Sequence, residues 1–348
     1  MEDSISSSKQ LSDSINDIHI VDIKDYEKDH KCLTFTYEPF KNKFYLVKNC
    51  LVMNHKNGQI ILPSISKDKT IILNQSFSPQ NDNNARQSCI FQNFYNFSKD
   101  NTTIKVKTAI ALNHIWSNNF WHWILECLPK VLALEDKNYK GSYIVPNSKF
   151  VKELLELIQV DRSRIITHNG NIFVESLVIP PMYSGYELIN HQHIVHYIRN
   201  KLLDCIDKPS NYERVYIKRT GTRHILNEQE IIDILNKHDF FIMVPEEYSV
   251  KEQISNMVNA KISVMAHGAN STLTLFQQKN STFIEFFSSG YIVYHTIAFT
   301  KALGINYIPI PEAKAEPIVL QDSIRPQYLN ITAPTAVFSI ILENCLKR

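Results

Sequence analysis

Residues 260–286, AKISVMAHGANSTLTLFQQKNSTFIEF, decide the fold. Ile262-Ser263-Val264-Met265 is an apolar run too short for a helix and reads as a buried strand. It runs straight into Ala266-His267-Gly268-Ala269-Asn270, where small residues break the strand, and Ser271 to Gln277 then has helical character. A second strand, Ser281 to Phe286, closes the stretch. Strand, helix and strand in so short a span form a βαβ unit, whose two strands must lie parallel.

The same grammar extends upstream. A strand at Glu213 to Lys218, a helix at Glu228 to His238, a strand at Phe240 to Val244 and a helix at Ser249 to Asn259 all precede the strand that starts at Ala260. Repeated βα units demand a parallel sheet covered by helices on both faces. Lys208-Pro209-Ser210-Asn211 is the expected entry to this domain. Before it the pattern is also α/β from about residue 140: strands at Tyr143 to Val145, Arg164 to Ile166 and Ile172 to Ile179, with helices at Ser148 to Ile158 and Gln192 to Ile206. Earlier still, short apolar runs alternate with Asn, Lys and Gly breaks. Leu51-Val52-Met53 and Gln59-Ile60-Ile61-Leu62 flank His55-Lys56-Asn57-Gly58 as a β-hairpin would. A strand is expected at Lys105 to Leu112 and a helix at Phe120 to Leu134, interrupted by Pro129. The expected division is a tail at 1–16, an N-terminal domain at 17–207, a second domain at 208–330 and a final helix at 331–348.

Composition narrows the function classes. The 348 residues suit two domains, and 44% hydrophobic with 21% charged residues is ordinary for a globular protein. A formal charge of +2 is too small to make nucleic acid or an anionic membrane the main partner. The cysteines Cys32, Cys50, Cys89, Cys127, Cys205 and Cys345 form no C-x-x-C pair, so neither a zinc knuckle nor a disulfide framework is suggested. The acidic, serine-rich start lacks the pattern of a signal peptide, and no apolar run is long enough for a membrane span. A cytoplasmic protein is expected, with peripheral docking at the inner face of a membrane left open.

Unusual residues cluster where parallel strands end and helices begin, the places where open α/β sheets bind ligands. Arg219-Thr220-Gly221-Thr222-Arg223 follows the first strand of the second domain and leads to Asn227 as a helix N-cap; it is basic and hydroxyl-bearing, as suits a diphosphate. After the strand ending at Met265, His267, Gly268, Ala269, Asn270 and Ser271 offer a ring donor, close backbone approach and free N–H groups at a helix start. Glu285 sits at the carboxyl end of its strand, where a carboxylate can accept from ribose hydroxyls. Together these positions describe a nucleotide diphosphate pocket without a P-loop or G-x-G-x-x-G motif.

These residues carry a resemblance. Asn118-Asn119-Phe120-Trp121-His122-Trp123-Ile124-Leu125-Glu126-Cys127-Leu128-Pro129-Lys130 is similar to a motif of glycosyltransferase family 61. So are Tyr216-Ile217-Lys218-Arg219, Arg223 with Leu226-Asn227-Glu228, Val244-Pro245-Glu246, Ser249 with Glu252-Gln253, and Ala266-His267-Gly268-Ala269, in order and spacing. The likeness spans about residues 49 to 300 of a family that includes plant xylosyltransferases, animal O-linked N-acetylglucosamine transferases and bacterial capsule and lipopolysaccharide transferases. It implies an α/β fold of GT-B type, two Rossmann-like domains facing across a cleft, with the final helix crossing back to the N-terminal domain, which here carries additional β-hairpins. It also implies inversion at the anomeric carbon.

An inverting transferase needs a base for the acceptor hydroxyl. His122 and Glu126, four residues apart, share one helical face. Either the imidazole is the base and the carboxylate holds its tautomer, which is the preferred reading, or the carboxylate is the base and His122 positions the sugar. Asn119, Trp121 and Trp123 are the expected acceptor contacts. The chain has no D-x-D motif, so metal-independent transfer is expected, with Arg219, Arg223 and His267 carrying the developing charge. A nucleotide sugar is then co-substrate, most readily a UDP-sugar, and a glycan is the acceptor; no prosthetic group is required. Surface polysaccharide or glycoconjugate biosynthesis is the expected setting. A hydrolase or phosphorylase on the same fold, a nucleotide-sugar or carbohydrate-binding protein without turnover, and catalysis by Cys127 are the competing readings.

Overall fold

A computed structural model describes residues 18–21, 28, 33–36, 43–53, 59–62, 70–73, 103–113, 116–181, 191–288, 290–292, 295–312 and 329–347. The contacts divide the chain into two compact units, residues 1–152 with 159–184, and 153–158 with 185–348. The sequence expects the second domain to begin at 208; helix Gln192–Leu203, just before that point, buries Ile194, Val195, Ile198 and Leu202, and its Arg199 donates to the Leu275 carbonyl.

The first unit is built on a mixed sheet. Its strands are β1 (Ile18–Val21), β2 (Leu33–Thr36), β3 (Lys43–Met53), β4 (Gln59–Leu62), β5 (Thr70–Leu73), β6 (Thr103–Ala111), β7 (Ser142–Ile144), β8 (Ile165–Ile166) and β9 (Asn171–Ile179). They are ordered β1-β5-β4-β3-β9-β6-β7-β8, with β2 paired to β3. The expected hairpin is there as antiparallel β3 and β4, Val52 opposite Ile60; its turn, 54–58, and the tail 1–16 lie outside the described residues. From β9 through β6 and β7 to β8 the pairing is parallel. Tyr45, Val47, Val52, Ala109, Ile144, Ile172, Val174 and Leu177 form the core on this sheet.

Helix α1 follows β6 in three pieces: Phe120–His122, a π-helical turn at Trp123–Cys127, and Leu128–Glu135. Pro129 was expected to interrupt this helix, yet the helix runs through it. Proline has no N–H to give and crowds the carbonyl four residues back. The π turn, in which Leu128 N–H reaches the Trp123 carbonyl, shifts the hydrogen-bond ladder just before Pro129, which then occupies the first turn of the last piece. Every residue from Phe120 to Leu134 is buried. Helix α2 (Lys149–Leu157) follows β7, with its residues from 153 on in the second unit.

In the second unit, helix α3 (Gln192–Leu203) leads to a five-stranded sheet of β10 (Arg214–Ile217), β11 (Phe241–Met243), β12 (Ile262–Ala266), β13 (Thr282–Phe287) and β14 (Asn306–Pro311), in the order β11-β10-β12-β13-β14. All its pairings are parallel. Helices α4 (Glu228–Asn236), α5 (Val250–Val258), α6 (His295–Leu303) and α7 (Thr335–Leu346) accompany it. Ser249 and Glu252 start α5 with a reciprocal capping box. Strand order reverses between β10 and β12, so the loops after these two strands diverge from one point at the sheet's carboxyl edge.

One local expectation is corrected. The segment after β12 is a 3-10 helix, Ala269–Phe276, rather than an α-helix at 271–277; it is buried from Ser271 onward, and the tighter coil keeps Ser271 N–H on the Gly268 carbonyl at 3.0 Å. One face of the final helix packs within the second unit, while Val337 and Ile340 on the same helix are exposed. Phe338, Leu342 and Cys345 of α7 join Tyr216, Ile225, Phe240 and Phe286 in one core.

Candidate active site

At the head of α1, Asn119 is the N-cap: its Oδ1 accepts from Trp121 N–H at 3.0 Å and His122 N–H at 3.4 Å. This fixes the first turn, and the helix pitch then brings His122 Nδ1 to 2.9 Å from Glu126 Oε2. Both side chains are nearly buried. The ring is further held by Trp121, edge-on at 4.8 Å, and by Trp116, stacked at 5.8 Å. With Nδ1–H given to the carboxylate, Nε2 is the nitrogen that can take a proton. That arrangement suits a general base oriented by an acid.

The expected acceptor contacts need revision. Asn119 uses its carbonyl oxygen in the cap. Trp121 and Trp123 are 3% and 0% exposed, so their rings belong to the core. Trp116, which the sequence reading passed over, is the exposed indole beside His122. Lys130, another turn along α1, is buried as well, and burial lowers its pKa against the opposing pull of Cys127 and Glu126. Cys127 is inert: burial pushes its thiol up to about 12, and its Sγ donates to the Leu112 carbonyl at 3.6 Å.

At the switch point of the second sheet, Arg219 comes against Gly268. A Cβ placed on Gly268 would lie 1.8 Å from an Arg219 guanidinium nitrogen, so only glycine leaves room for this side chain. Arg219 Nε donates to the Thr222 carbonyl. Burial, then the neighbouring charge of Arg223, brings the Arg219 pKa down to about 10, with Glu246 acting in the opposite sense. Glu246 also accepts from Thr220 Oγ1 at 3.1 Å. Arg223 adopts a left-handed backbone, φ 65°, and its N–H is taken by Asn330 Oδ1 at 3.1 Å. Its guanidinium lies 5.5 Å from the centre of the Tyr291 ring.

His267 stands beside this pair. Its Nδ1 is 2.8 Å from Glu285 Oε1, and Tyr307 Oη donates to Glu285 Oε2 at 2.6 Å. Phe287 stacks on the imidazole at 4.7 Å, with His295 and Tyr291 at 5.2 and 5.7 Å. Glu285, expected to meet a ribose, is fully buried with each carboxylate oxygen already accepting a bond, so it orients His267 instead. Asn227 is also corrected: it makes no side-chain cap, and its amide exchanges bonds with Ala333 N–H and C=O at 2.9 and 3.0 Å, pinning 331–333 to the loop after β10. Ser271 Oγ is buried without a partner among the described residues. Ala269 and Asn270 remain partly exposed at the start of the 3-10 segment.

The structure thus joins Arg219, Gly268, His267 and Glu285 in one cluster, with Arg223 linked to it through Tyr291. Tyr307, Tyr291, His295 and Phe287 were missed because each reaches the site through β13, β14, the start of α6 or the stretch between β13 and α6, which no local pattern announces. Among the described residues, no group of three or more His, Cys, Asp or Glu is placed to hold a metal ion, and no helix is long and apolar enough to cross a membrane.

No curated protein matches the chain. Residues 120–284, from the first residue of α1 to the middle of β13, match the family model described as Glycosyltransferase 61. That span contains His122 with Glu126 and Arg219 with His267 and Gly268, and over it the chain is similar to glycosyltransferase family 61.

Proposed function

We propose that this protein is a glycosyltransferase that inverts the anomeric centre, moving a sugar from a nucleotide-diphosphate donor, a UDP-sugar in first place, to a glycan acceptor. The observation that carries the reading is the approach of Arg219 to Gly268 at the switch point of an all-parallel sheet. A guanidinium whose positive charge is disfavoured by burial and by a second arginine is a site waiting for an anion. The first N–H groups of the 3-10 segment, from Gly268 to Asn270, lack partners within their own helix and point the same way chemically. His267, its Nδ1 held by Glu285, can give Nε2–H to a phosphate oxygen as the imidazolium.

On the acceptor side, His122 Nε2 takes the hydroxyl proton as the acceptor oxygen bonds to the anomeric carbon. The bond from that carbon to the diphosphate oxygen breaks, and its electron pair leaves on the diphosphate, where Arg219 and Arg223 stabilise it. Glu126 keeps the imidazole tautomer and stabilises its charged form. This division of labour goes with a GT-B arrangement, the first unit serving the acceptor and the second the donor. It also needs no metal. Glycan assembly from nucleotide sugars on the cytoplasmic side, for surface polysaccharide or glycoconjugate, is the setting that fits these substrates.

A thermal-shift screen against UDP, GDP, CMP and TDP tests the donor assignment, because a ligand of the native state raises Tm by mass action. One nucleotide should raise Tm in the unaltered protein and leave Arg219→Ala and His267→Ala unmoved. No shift with any nucleotide would sink the reading.

A further inference from the structure

Trp116 is an aromatic partner of His122 that comes from outside α1. Its indole lies nearly parallel to the imidazole, with ring centres 5.8 Å apart and planes 18° apart. It is also 41% exposed, whereas Trp121 and Trp123 are in the core. Its backbone is fixed, since the Trp116 carbonyl accepts from Asn119 N–H at 2.8 Å, tying it to the residue that caps α1. Next to it, the buried Ser117 hydroxyl donates to Asn113 Oδ1 at 2.8 Å. A single exposed aromatic on a protein surface calls for no explanation. One stacked against the ring of a candidate base is a different matter.

A pyranose has a face of C–H groups and a rim of hydroxyls, and an aromatic surface takes the C–H face while the rim stays free to meet polar groups. We propose that Trp116 is the stacking platform for the acceptor sugar, selecting a pyranose with an uninterrupted C–H face, as in β-glucosides and β-galactosides. Stacking there fixes the ring beside His122 and so decides which hydroxyl reaches Nε2. The platform is thus a positioning and specificity element, and it rests on the reading of His122 as the acceptor-side base.

Saturation-transfer NMR with methyl β-D-glucopyranoside and methyl β-D-galactopyranoside on the full chain tests it. Ring C–H protons of at least one glycoside should receive saturation from the unaltered protein and from Trp116→Phe. In Trp116→Ala, with unchanged circular dichroism, its affinity should fall about tenfold, the scale of one good aromatic contact. His122→Ala should lose transfer. If His122→Ala still transfers, the reading of the base fails, and the platform is judged on the glycoside binding alone. If neither glycoside contacts the unaltered protein, or Trp116→Ala binds as tightly as it does, the platform is overturned.

Discussion

His122 Nδ1 and Glu126 Oε2 are 2.9 Å apart on a helix that changes to π-helical geometry between these two residues. Both carbonyl ladder and side-chain pair are therefore set within one stretch of α1, where Asn119 fixes the start and Pro129 forces the change of winding.

The pair gives the first prediction. If the imidazole is the base, His122→Ala lowers kcat by about 10²- to 10⁴-fold, and Glu126→Gln by a smaller factor because the ring is present but poorly oriented. Steady-state kinetics on both variants checks this. The reverse ranking would assign the base to Glu126.

Arg219 is charged at neutral pH although its pKa is depressed to about 10. A cation with a folded pKa below its unfolded one weakens folding at every pH where it is protonated, and that cost is relieved as pH rises through about 10. Arg219→Met should therefore melt no lower than the unaltered protein at pH 7 while losing the nucleotide-induced shift. Calorimetry with and without nucleotide checks both halves. A large drop in apo Tm would make Arg219 a structural residue.

Gly268→Ala separates position from charge. The added methyl meets the far end of the Arg219 side chain, which can swing away, so stability should change little. Anion affinity should fall along with the displaced guanidinium, by about tenfold or more. Isothermal titration with the nucleotide identified in the screen reads this directly, and undiminished affinity would separate Gly268 from the donor site.

Tyr307→Phe removes a hydroxyl that donates to the buried Glu285 at 2.6 Å. The loss should cost about 1–3 kcal/mol in urea unfolding, because one oxygen of a buried carboxylate is left unsatisfied. It should also weaken nucleotide binding through His267, since the two share that carboxylate. Loss of stability with full nucleotide affinity would show that Glu285 supports the sheet alone.

A chelator should leave transfer intact if arginines carry the leaving-group charge. Activity lost in EDTA and restored by Mn²⁺ would mean that a metal shares this task.

Much of this was legible in the sequence because it is local. The βα alternation from Glu213 to Phe286 fixed the class of the second sheet through hydrophobic periodicity. Helix pitch alone put His122 and Glu126 on one face, and the placement of Arg219 and His267 followed from where strands end. What remained hidden is non-local. Parallel pairing of β12 with β13 sets Met265 beside Glu285 and Ala266 beside Phe286, and only that register carries Glu285 to His267 instead of to a ribose. The match of Arg219 to Gly268 depends on β10 lying next to β12, Asn227 is claimed by a segment more than 100 residues later in the chain, and the burial of Trp121 and Trp123 beside an exposed Trp116 is decided by what packs around α1. The sequence alone determined which chemical groups stand at the strand ends and on the helix. Tertiary structure decided which of them have their hydrogen bonds and faces already taken, because that depends on neighbours brought in by sheet register and core packing.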